Sequence, residues 1–112
     1  MVLCRSNEIK TKTYEQCHNG KGILYCKSLL DGFDKSMFSL MHYDDIRAGV
    51  SIGEHLHTKN EEIYFLLSGT GTLIFDGEEY DMNPGDVSLC TVGHSHGFIA
   101  KTDCVMIVVG SR

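Results

Sequence analysis

The residues of this chain best suited to chemistry fall into two short groups. Four of its six histidines occur as His55-Leu56-His57 and His94-Ser95-His96. Side chains two positions apart diverge on a helix but share one face of a strand. Two imidazoles on one strand face can converge on a single ion, and neutral imidazole is a common ligand for divalent metals. Five positions after His57 comes Glu62, opening an apolar stretch whose alternation puts Tyr64 and Leu66 on the carboxylate's side. If the segment from His57 to Glu61 turns back, Glu62 returns antiparallel to the histidine pair and sets a carboxylate beside two imidazoles.

Such a cluster needs strands to hold it, and the rest of the sequence supplies them. Gly22–Leu30, Met37–Tyr43, Gly49–His55, Glu62–Leu67, Thr70–Phe75, Asp86–Thr91 and Cys104–Val109 are short runs rich in β-branched and aromatic residues. Turn signals separate them: Asp31-Gly32, Ala48-Gly49, Ser68-Gly69, Asp76-Gly77, Asn83-Pro84-Gly85 and Val92-Gly93. TLIF-DG-EEY predicts a hairpin, because Asp-Gly tolerates the positive φ angles of a two-residue primed turn. The single proline, Pro84, stands between strands, where its missing N–H costs no ladder hydrogen bond. No uninterrupted segment of helical length carries a 3.6-residue apolar period. The expected class is all-β, with residues 1–21 as an N-terminal arm or edge strand and 22–112 as one domain; a chain of 112 residues leaves no room for a second.

Composition narrows the partners. A net charge of −5, with ten basic residues scattered singly, argues against a nucleic-acid surface, which needs clustered Lys and Arg. No apolar run approaches a membrane span or a secretory core, so neither export nor anchoring is expected. Five cysteines at 4, 17, 26, 90 and 104 are an odd number without CxxC spacing, which excludes a complete disulfide framework and favours a reducing, cytoplasmic setting.

The spacing around the histidines resembles that of small single-domain cupins of the cupin 2, RmlC-like type. Their first motif runs Gly, five residues, His-x-His, three or four residues, Glu, six residues, Gly. Gly49, His55, His57, Glu62 and Gly69 meet it throughout; choosing Glu61 instead would put Ser68 at the closing glycine. The second motif runs Gly, five residues, Pro-x-Gly, two residues, His, three residues, Asn. Gly85, Gly93 and His96 meet it, while Thr91 replaces the proline and Ala100 the asparagine. The likeness covers residues 22 to 110. It implies a double-stranded β-helix, the cupin jelly-roll barrel, with a mononuclear metal site formed by His55, His57, Glu62 and His96. Three imidazoles and one carboxylate suit one borderline divalent ion (Mn, Fe, Co, Ni or Zn), and the lack of thiolates argues against a structural zinc. On an octahedral ion such a set leaves two positions open for water or a bidentate ligand.

Around this set, Tyr64 and Phe98 fall two residues beyond Glu62 and His96 and are candidates for pocket lining or for plain core packing. His94 is a candidate for the rim, His42 for either the barrel interior or strand packing, and Arg47 for holding a substrate carboxylate. Glu54, Glu61 and His18 read as solvent-facing; Cys26 and Cys90 read as small buried hydrophobes rather than redox groups. The expected function is metal-dependent binding of a small oxygen-rich ligand, a carboxylate, keto acid or sugar derivative, with decarboxylase, dioxygenase or isomerase chemistry as its catalytic forms. The competing reading is a non-catalytic metal or small-molecule binding or sensor module; a structural oligomerisation domain with a vestigial site fits the full ligand set less well. The resemblance also implies a homodimer paired through edge strands, with the N-terminal strand or arm as the exchanged element.

Overall fold

The structure, a computed structural model, describes residues 3–30 and 33–112, so the Asp31-Gly32 turn lies outside the described residues. Ten strands carry the described fold: β1 (Lys12–Glu15), β2 (Ile23–Ser28), β3 (Phe38–Ile46), β4 (Ser51–Leu56), β5 (Glu62–Ser68), β6 (Gly71–Phe75), β7 (Glu78–Met82), β8 (Val87–Cys90), β9 (Ser95–Ala100) and β10 (Cys104–Ser111). They form a six-stranded sheet in the order β1-β2-β3-β10-β5-β8 and a four-stranded sheet in the order β4-β9-β6-β7. Every pairing is antiparallel. The inner faces of both sheets share one core, with Ile46, Tyr64, Leu66 and Met106 from the first and Ile52, Met82, Phe98 and Ala100 from the second. This is the expected all-β jelly roll.

Alternation explains which side chains enter that core. In β10, Cys104, Met106 and Val108 are buried while Val105, Ile107 and Val109 are only partly covered. In β5 the same period turns Glu62, Tyr64 and Leu66 inward and Ile63, Phe65 and Leu67 outward. The Asp76-Gly77 hairpin joins β6 to β7 with positive φ at both turn residues, 48° and 81°, as a primed turn requires.

Two elements depart from the sequence pattern. The run Ser95–Ala100 is a strand, although Ser95, His96 and Gly97 break any apolar signature. Strand β3 continues past Tyr43 through two aspartates to Ile46, and Asp44 points inward, 2% exposed. A charged residue at an inward position hides a strand from hydrophobicity alone.

Candidate metal centre

Strands β4 and β9 supply the histidines. Their pairing is Ile52 with Phe98 and His55 with His96, so Gly53 and Glu54 together lie opposite the single residue Gly97. This bulge lets Ile52 and His55 both face the interior despite being three positions apart. His57 follows on the same side, with Leu56 exposed between them. The turn after β4 then returns the chain into β5 and places Glu62 across from the pair.

The four residues expected to act together are brought together: one ligand atom from each of His55, His57, Glu62 and His96 lies within 4.8 Å of the others. His57 Nε2 stands 2.9 Å from His96 Nε2, and Glu62 Oε1 lies 3.1 Å from His96 Nε2 and 3.8 Å from His57 Nε2. Donors bound at about 2.0–2.2 Å to one ion sit roughly 3 Å from their neighbours, so these separations fit a shared cation. The hydrogen bonds agree. His55 Nδ1 donates to the Gly53 carbonyl at 2.8 Å and His57 Nδ1 to Asn60 Oδ1 at 2.9 Å. Each bond fixes the tautomer that leaves Nε2 a lone pair facing the cluster. The residues therefore suit a divalent ion by donor type, spacing and orientation.

The electrostatics also favour ligands over protons. Burial pushes the His55 imidazole down to about 4, with the Gly53 carbonyl opposing in part, so the ring is neutral near pH 7. For Glu62, burial pushes the carboxyl up. The hydrogen bond from His96 and the fields of His96, His57 and His55 outweigh it, and the group titrates below its usual range. Tyr64, itself buried, stacks on His96 with ring centroids 4.1 Å apart.

A cavity of about 110 Å³ opens onto the cluster. Its lining includes His42 and Asp44 from β3, His55 from β4, Glu62 and Tyr64 from β5, and His18. His18 gave no sequence signal. It belongs to a 3-10 turn, Cys17–Asn19, packed on β4, and its ring stacks on His55 at 3.6 Å. Asn60 was likewise missed; an asparagine three residues after a histidine is too common a pattern to mark an acceptor for its ring.

Three further candidates lie elsewhere. Phe98 is wholly buried in the core and packs over Gly71 rather than lining this cavity. His94 is exposed, its Nδ1 donating to Asp76 Oδ2 at 2.6 Å and its ring stacked on Phe75. Arg47 follows the outward parity of Asp45 beyond the end of β3, and is held by Asp45 at 3.2 Å and Asp103 at 3.3 Å. Arg47 therefore lines an outer groove with Tyr25, Lys27 and Tyr43, away from the cluster.

Comparison with known proteins agrees with this architecture. The chain is 30% identical over 114 residues to an oxalate-binding protein of Thermotoga maritima, covering 96% of this chain and 92% of that one. A crystal structure from the same organism, described as a predicted oxalate decarboxylase, superposes with a TM-score of 0.91 at 27% identity, covering 98% of both chains. A cupin 2 conserved barrel domain protein from Salinispora arenicola shares the fold, with a TM-score of 0.76 at 22% identity over all of this chain and 89% of that one. The family model described as the cupin domain matches residues 43–110, which span β4 to β10 and all four clustered residues, and the chain belongs to that family.

Proposed function

We propose that this cupin binds one divalent transition metal ion through His55, His57, Glu62 and His96, and that the ion captures a small dicarboxylate of the oxalate class. The observation that carries the reading is the convergence of three imidazoles and one carboxylate beside a small cavity. A bound divalent ion would supply a Lewis-acidic centre with open positions. With Glu62 as the only anionic donor of the set, the site keeps a net charge of about +1, which favours an anion. Cavity size supports a small acid over a sugar phosphate: about 110 Å³ is well below the roughly 300 Å³ at which pockets for drug-sized ligands begin. Similarity to an oxalate-binding protein points to the same ligand.

The test is calorimetric titration of oxalate into metal-loaded and metal-stripped protein. Saturable binding is expected only in the loaded form, and His57→Ala should remove both metal and oxalate binding while the circular dichroism of the fold persists. Oxalate heats that are equal with and without metal would overturn the reading. Formate and carbon dioxide released on incubation would mark a decarboxylase; stable complex formation without product marks a binder.

A further inference from the structure

We propose that Cys26, His42 and Asp44 form a second cation site, suited to a zinc-class divalent ion, on the inner face of β2 and β3. Register brings the three together. Cys26 pairs with Asp44 and Ser28 with His42, so Asp44 and His42, two apart on β3, share the inward face with Cys26. Their ligand atoms, one sulfur, one ring nitrogen and one carboxylate oxygen, lie within 4.8 Å of one another. Cys26 is 1% exposed and Asp44 2%.

A second observation points to a ligand. Among the described residues, the buried Asp44 Oδ1 has no hydrogen-bond partner. The neighbouring Cys26 thiol, paired to Asp44 through the strand register, leaves that oxygen bare. Buried carboxylate oxygens are ordinarily paired, and leaving one bare is costly. Burial pushes both acids up, Asp44 to about 6 and the Cys26 thiol further from its thiolate. A cation entering the cluster would displace the Cys26 thiol proton and satisfy Asp44 Oδ1 directly.

The donor set separates this site from the first. Thiolate with imidazole selects zinc, or cobalt as its spectroscopic substitute, whereas the His55 cluster offers nitrogen and oxygen only. His42 and Asp44 also line the cavity shared with His55 and Glu62, which provides an entry path.

The experiment titrates the metal-stripped full chain with Co²⁺, following metal content and near-ultraviolet absorption. We expect two ions per chain at saturation and a thiolate-to-cobalt charge-transfer band, bleached when Zn²⁺ is added. Cys26→Ser should fall to one ion and lose the band, and Asp44→Asn should also fall to one ion. His57→Ala should lose the other ion and keep the band, so failure of the first site is distinguishable from failure of this one. The wild-type spectrum decides even if a variant does not fold: saturating cobalt without the band overturns the proposal. Survival of the band in Cys26→Ser overturns it as well.

Discussion

A histidine offers two ring nitrogens, and the partner of one decides whether the other can hold a metal. For His57 that partner is Asn60, whose side-chain oxygen accepts from Nδ1 at 2.9 Å. Asn60→Ala removes the acceptor without touching any donor of the cluster. Loss of such a supporting group typically weakens metal affinity 10–100-fold. Chelator competition on folded protein should show a drop of about that size, and Asn60→Asp, which keeps an acceptor, should recover most of it. An unchanged affinity in Asn60→Ala would mean that something else orients His57. The four clustered residues were legible in the sequence because strand parity and short spacing tie His55 to His57 and fix Glu62 and His96 by motif. Asn60, His18 and Asp44 were not, since a turn, a packed 3-10 segment and a cross-strand register bring them in. None of these leaves a trace in local periodicity.

At the scale of elements, the bulge in β4 and the turn packed on it position His55. Gly53 carries both roles: its carbonyl accepts from His55 Nδ1, and a Cβ at this position would collide with the His18 carbonyl oxygen. Gly53→Ala must therefore push the 17–19 turn off the strand or distort the bulge. Overpacking of this kind costs about 1–3 kcal/mol. Urea unfolding should show a lower midpoint by that margin, together with weaker metal binding as His18 and His55 separate; a variant with wild-type midpoint and affinity would refute this role. Sequence reading found the hairpin of β6 and β7 through Asp-Gly, and β5 and β10 through their apolar runs. It did not mark β9 or the bulge. Strand β9 is a central strand paired on both sides, with β4 and β6, and this pairing, together with the burial of Phe98 and Ala100, holds it despite its polar start.

At the scale of the molecule, the two faces of the six-stranded sheet are unequal in a way that bears on assembly. Its inner face serves the core, yet part of its outer face is also apolar. Val87 and Leu89 of β8 lie beside Ile63 and Phe65 of β5, which pair in turn with Val109 and Ile107 of β10. Val87 is 60% exposed and Leu89 52%. Strand β8 ends the sheet, so its outer backbone groups are available for pairing as well. Contiguous apolar surface at a sheet edge is uncommon on a monomer and suits a two-fold interface. Strand β1, at the other edge of the sheet, is the alternative for exchange; all four of its residues are exposed. The expected assembly is a homodimer through β8 and the β5 face, seen as a doubled mass by light scattering. Leu89→Lys should yield monomers at the same concentration with metal content unchanged, since Leu89 points away from the cluster. A wild-type monomer would contradict this assembly. A Leu89→Lys dimer that dissociates on removal of residues 1–15 would instead assign the interface to β1.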